Sequence, residues 1–135
     1  MDEPIEKHSD DLWEHLVVAV LSVNQYSLER TYGSIQGLRS EKLVDPRNLS
    51  LWTVREIEER LKAAGCDRGD FMTRLFSQRL HSLGKHVEGR GFRICEEILR
   101  TGERRAIDNL LAPVNGIGPV VLKHFRLLRG LPEPA

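Results

Sequence analysis

The chain has 135 residues, and its 20 Lys and Arg balance 20 Asp and Glu, so the formal net charge is zero. This length favours one domain around a single core and is too short for two independent domains. The neutral balance excludes a protein that binds polyanions through its overall charge alone. The two cysteines, Cys66 and Cys95, have no paired spacing, so we expect neither an iron–sulfur cluster nor a structural zinc site from this chain alone.

Apolar residues recur at helical spacing along almost the whole chain, which predicts an all-α domain. The first helix is capped by Ser9 and continues to Val23. Its apolar run, residues 16–21, is too short to span a bilayer and follows an acidic segment, so we expect a cytoplasmic protein with no signal peptide and no membrane contact. A second helix is predicted over 27–38, with a connector at 39–51.

Thr53 and Glu56 have the spacing of a capping box, which predicts a helix that begins there and ends at Gly65. The next helix is predicted over 71–86, with Phe71, Leu75, Leu80 and Leu83 facing inward. Three shorter helices are predicted over 94–99, 104–111 and 119–128. The prediction is a compact barrel or bundle of six to seven helices over residues 9–130, with an acidic lead-in at 1–8 and a Pro-containing tail at 131–135.

The most informative stretch is LAPVNGIGPVVLKHF, residues 111–125. Gly116 and Gly118 allow positive φ at both positions, while Ile117 anchors the turn in the core. The amides from Gly116 to Val120 then lie at the amino end of a helix, where the unpaired donors and the helix dipole form an anion site that fits a DNA phosphate. Lys123 and Arg126 on the same helix would extend the grip. The alternative is a turn that merely connects two helices.

The two glycines and the apolar positions around them resemble the helix–hairpin–helix motif, and the segment Leu16–Gln25 resembles the first barrel helix of the helix–hairpin–helix base-excision DNA glycosylases of the endonuclease III type. The resemblance covers most of residues 12–130. It implies the six-helix barrel domain of that family, double-stranded DNA as partner, and backbone binding without sequence specificity. The DNA-phosphate-binding residues that it implies are Asn115, Gly116, Ile117, Gly118, Val120 and Lys123. It also implies a monovalent cation, K⁺ or Na⁺, at the carbonyls of Val114 and Ile117, and no other cofactor.

Two amide side chains follow the first apolar run. Asn24 aligns with the glutamine that fills the gap left by a flipped base in the family, and Gln25 is the alternative one position further on. An amide at the end of a helix also binds its own backbone, and the two interpretations stay open.

Two departures from the family concern catalysis. Val120 occupies the position of the lysine that forms the Schiff base in bifunctional members, so lyase chemistry by that route is excluded. The essential aspartate that follows the hairpin in the family has no counterpart among these 135 residues, where Glu133 is the only carboxylate after the hairpin. Asp108 lies on the wrong side of the motif to replace it. We therefore predict no catalytic residue.

Three hypotheses follow. The first is a DNA-binding helix–hairpin–helix protein related to base-excision repair glycosylases. The second is a minimal or split glycosylase, monofunctional and without lyase activity, that removes a damaged base. Its catalytic acid would come from an unexpected residue of this chain or from a second protein chain that completes the cleft. The third is a protein-interaction module on the same fold that does not bind DNA, which the neutral overall charge favours.

Overall fold

The computed structural model describes residues 12–23 and 27–131, and all regular structure in these residues is helical. The predicted all-α class is confirmed. The described chain has nine helices rather than six or seven: α1 Leu12–Leu21, α2 Leu28–Tyr32, α3 Ile35–Ser40, α4 Pro46–Leu51, α5 Val54–Ala63, α6 Asp70–Arg90, α7 Phe92–Thr101, α8 Arg104–Leu111 and α9 Pro119–Leu128.

The larger number of helices comes from residues 27–51. The predicted helix over 27–38 is two helices, because the chain bends at Gly33 and Ser34 between α2 and α3. The predicted connector contains α4. Asp45 Oδ1 accepts the N–H of Arg47 at 3.0 Å, and Pro46 fits the first turn because its missing N–H would have no partner inside the helix. Asp45-Pro46 is therefore a helix start.

The capping box of α5 is confirmed. Thr53 Oγ1 accepts the N–H of Glu56 at 3.1 Å, and Glu56 Oε1 accepts the N–H of Thr53 at 2.8 Å. In α6 the inward position predicted for Phe71 is wrong, since this side chain is 78% exposed. The buried face of α6 begins at Thr73, and two residues turn an α-helix by about 200°, so Phe71 lies on the opposite side.

Helix α1 occupies the centre of the domain, and all ten of its residues are buried. Helices α2, α6, α7 and α9 pack around α1; α4 and α5 pack on α6, and α7 also packs on α8. A helix surrounded on all sides is apolar all round, which explains the nearly continuous apolar run. Glu14, the buried carboxylate of α1, is paired with Arg39 of α3 through contacts of 2.7 and 2.8 Å.

Several sequence predictions lie outside the described residues. These are the lead-in at 1–8, the cap at Ser9, both amides of the base-gap prediction, Asn24 and Gln25, and the tail after Leu131, which includes Glu133. Within the residues that the structure describes, no helix is both long enough and apolar enough to cross a membrane.

Candidate nucleic-acid interface

Residues 112–118 form the hairpin between α8 and α9, and both helices have the predicted bounds. The N–H of Val114 binds the carbonyl of Leu111 at 3.0 Å, and the N–H of Ile117 binds the carbonyl of Val114 at 3.1 Å. Val114 and Ile117 are 5% and 8% exposed. These two side chains hold the hairpin against the core, as expected for Ile117.

The two hairpin glycines have different conformations. Gly116 has φ +91°, whereas Gly118 has φ −119° and ψ −165°. The expectation of positive φ at both glycines is therefore wrong for Gly118. Gly118 is the residue that precedes the first turn of α9, and residues at that position have extended backbone. Any residue can adopt this conformation, but glycine brings no side chain that could cap the helix.

The start of α9 presents free amide donors. The N–H groups of Gly116, Gly118 and Val120 have no hydrogen-bond partner among residues 12–23 and 27–131. Intrahelical bonding begins with Leu122, whose N–H binds the carbonyl of Gly118 at 3.1 Å. Unpaired donors at the positive end of a helix dipole favour an anion.

The two cations predicted on α9 differ in environment. Lys123 is exposed and forms no ion pair within the described chain. Arg126 is 5% exposed, and its Nη1 lies 3.0 Å from Asp108 Oδ1 on α8. The prediction that Arg126 extends the phosphate grip is wrong, because its guanidinium turns back between the two helices of the hairpin.

Helix α6 packs against the α8–α9 hairpin and contacts it at two points. His86 Nε2 lies 2.7 Å from the carbonyl of Leu110 at the end of α8. Arg79 packs against Gly116, where a Cβ atom would lie 2.6 Å from Arg79 Nε. Arg79 and His86 are seven positions apart and share one side of α6. Neither residue was predicted from the sequence, because each contact joins segments that are distant in the chain.

The local charge at the hairpin is positive although the whole chain is neutral. Residues 109–131 contain Lys123, Arg126 and Arg129 and no Asp or Glu. Arg126 is neutralised by Asp108, and Arg129 Nη1 contacts His15 Nδ1 at 3.1 Å. Lys123 is therefore the exposed cation of α9 that a ligand meets first.

His124 lies beside Lys123 on α9. Its pKa is held below the usual value mainly because burial disfavours the charged imidazolium; Lys123 acts in the same direction, and a hydrogen bond with the Ser22 backbone opposes both. The side chain is thus biased toward the neutral form.

The predicted phosphate-binding residues lie in one segment of the chain but differ in how exposed they are. Asn115, Val120 and Lys123 are exposed, Gly116 and Gly118 are half-buried, and the side chain of Ile117 is buried, so only its backbone is available. The carbonyl of Val114 already accepts the N–H of Ile117. The carbonyl of Ile117 accepts no hydrogen bond from the described residues. The monovalent cation stays a prediction.

Arg68 binds the chain at the end of α1, immediately before Asn24 and Gln25 in the sequence. Arg68 Nη1 donates to the carbonyl of Leu21 and Nη2 to that of Val23, both at 3.2 Å. This arginine was not predicted from the sequence. Across residues 12–23 and 27–131, no group of three or more His, Cys, Asp or Glu is placed to hold a metal ion.

No protein-family model matches this chain, and no curated protein or solved structure matches it significantly.

Proposed function

We propose that this protein binds double-stranded DNA through the phosphate backbone, without reading base sequence, at the hairpin between α8 and α9. The observation that carries the proposal is the set of amides of Gly116, Gly118 and Val120 at the start of α9, which bind no acceptor in the part of the chain that the structure describes. Backbone amides at a helix start position a duplex by its phosphates and carry no sequence information.

Lys123 adds a mobile point charge one turn into the same helix, and no carboxylate in residues 109–131 opposes it. Because only a few phosphates are neutralised, the affinity belongs to the non-specific class, with a Kd of about 10⁻⁴–10⁻⁶ M at physiological salt. The proposal includes a K⁺ or Na⁺ ion at the carbonyls of Val114 and Ile117, whose oxygens are the hard ligands that such ions take. Replacing KCl by a bulky organic chloride at constant ionic strength would weaken DNA binding if this ion takes part.

A second candidate is an interaction with another protein chain, which one feature of α9 favours. Val120 and Leu127 are 53% and 59% exposed, and they flank Lys123 at helical spacing on one side of α9. Covering these two side chains would remove apolar surface from water, and this is the contribution that they would make to an interface. A second chain that completes a glycosylase cleft would use this face.

Gly118 provides the sharpest test of DNA binding. A Cβ atom at this position meets no atom within 4 Å, so substitutions leave the fold intact. In Gly118→Asp the carboxylate caps the amides of α9 and repels phosphate, whereas Gly118→Ala adds only a methyl group. Fluorescence anisotropy with a labelled duplex at 50–200 mM KCl measures Kd. We expect Gly118→Asp to weaken binding about 10-fold or more, and Gly118→Ala to bind like the wild type.

Equal binding by the two variants, or a wild-type affinity that does not fall with salt, would overturn the proposal, because phosphate contacts must release counterions.

The glycosylase alternative is tested by a separate measurement. Duplexes with assorted damaged bases are incubated with the protein and then cleaved with alkali, and strand breaks above background would establish base removal.

A further inference from the structure

Arg79 on α6 makes an unusually close contact with the hairpin. A Cβ atom built on Gly116 would overlap Cγ and Cδ of Arg79 and lie 2.6 Å from its Nε. Arg79 is half-buried, and its side chain runs across the backbone of Gly116. A side chain at position 116 would displace Arg79 from this place, and the positive φ of Gly116 independently favours glycine.

Arg79 forms no ion pair within residues 12–23 and 27–131. Its guanidinium lies 5.3 Å from the centre of the Phe76 ring, and no carboxylate within the described chain pairs with it. Three other half-buried or buried arginines do have carboxylate partners: Arg39 pairs with Glu14, Arg60 with Glu41, and Arg126 with Asp108. The hydrophobic stem of Arg79 is thus held in place while the charge is left for an external anion.

We infer that Arg79 contacts the DNA backbone as part of the same surface as the hairpin, an inference that rests on the proposed function. Gly116 carries the first of the free amides, so the Arg79 guanidinium reaches the segment where a phosphate would bind. A guanidinium offers several donors in a planar fork, which matches two phosphate oxygens, and it is less strongly hydrated than an ammonium. DNA would therefore contact α6 as well as α9.

The inference predicts a change in the salt dependence of binding. Each neutralised phosphate contributes about −0.9 to the slope of log K against log [salt]. Arg79→Met keeps the length of the stem and removes the charge, so we expect the slope to become shallower by about 1, and Lys123→Met to have the same effect. Arg55→Met is the matched control, because Arg55 is exposed on α5 and pairs with Glu59. Its slope should equal that of the wild type.

The outcomes separate the inference from the proposed function. If Lys123→Met makes the slope shallower while Arg79→Met leaves it unchanged, Arg79 is not a contact and the hairpin proposal stands. If wild-type binding is independent of salt, both are overturned. Circular dichroism and urea unfolding verify that Arg79→Met is folded.

A second measurement uses the wild-type protein and needs no substitution. Phenylglyoxal modifies arginine side chains, and mass spectrometry gives the extent at each site with and without duplex DNA. We expect DNA to protect Arg79 and to leave Arg55 unprotected. Equal modification of Arg79 in the two samples contradicts the inference even if Arg79→Met does not fold.

Discussion

Arg126 Nη1 lies 3.0 Å from Asp108 Oδ1, so an ion pair joins the two helices on either side of the hairpin. The Arg126 side chain is 6% exposed and that of Asp108 31%. Arg104 approaches the same carboxylate at 3.8 Å. The pair fixes α9 relative to α8 and thereby holds the amides of the hairpin in their relative positions.

Asp108→Asn should therefore destabilise the protein by about 1–3 kcal/mol, because it replaces the carboxylate 3.0 Å from the buried guanidinium of Arg126 with a neutral amide. Arg126→Met should cost less than Asp108→Asn, since Asp108 keeps Arg104 and solvent. Urea unfolding gives both free energies. Glu97→Gln is the control, because Glu97 and Arg93 form an exposed pair whose loss changes stability little. Equal losses for Asp108→Asn and Glu97→Gln would contradict this role.

The two hairpin glycines should respond differently to alanine. Gly116→Ala introduces a side chain at φ +91° and forces it into Arg79, so we expect a loss of about 1–3 kcal/mol. Gly118→Ala has extended backbone and open space, and it restricts the unfolded chain, so its effect should lie between zero and a gain of about 1 kcal/mol. Thermal unfolding compares the two variants. A Gly118→Ala variant as unstable as Gly116→Ala would contradict the extended conformation of Gly118.

The features predicted correctly from the sequence are those that short-range chemistry determines. Pro119 can occupy a first helical turn but not a helix interior, so it marked the start of α9, and Thr53 and Glu56 determine their own capping box. The conformation of Gly118 was mispredicted because glycine tolerates both signs of φ, and the choice depends on how α9 begins.

The features that sequence analysis missed depend on contacts between distant segments. Nothing near Arg126 in the sequence distinguishes it from the exposed Lys123; the difference is that Asp108 lies across the hairpin. Likewise, Arg79 becomes part of the candidate site only because α6 packs beneath Gly116. Half of the candidate site, the hairpin itself, was therefore predictable, and the supporting face of α6 was not.

A stabilising substitution is predicted at Lys42, which follows α3. Lys42 has φ +61°, and the N–H of Leu43 binds the carbonyl of Leu38 at 3.0 Å, the arrangement in which helices usually end with glycine. Lys42→Gly should raise the free energy of unfolding by about 0.5–1 kcal/mol, because it removes the steric cost of the left-handed conformation. Lys42→Ala removes the same charge but keeps a Cβ atom, so it should give no such gain in a urea titration. A loss of stability in Lys42→Gly would refute this account.

His124 should make stability depend on pH. The pKa of His124 in the folded protein is lowered, chiefly by burial and secondarily by Lys123. Below the ordinary pKa of about 6.5, the unfolded chain therefore binds a proton more readily than the folded protein does. Stability therefore falls as the pH drops below about 6.5 and continues to fall until the folded pKa is passed. His124→Gln removes this contribution, and Lys123→Gln weakens it because the folded pKa moves back toward its usual value. Urea unfolding between pH 8 and pH 5 should show a smaller decrease for His124→Gln than for the wild type, with Lys123→Gln between them. Parallel curves for all three proteins would mean that His124 titrates alike in the folded and unfolded chains.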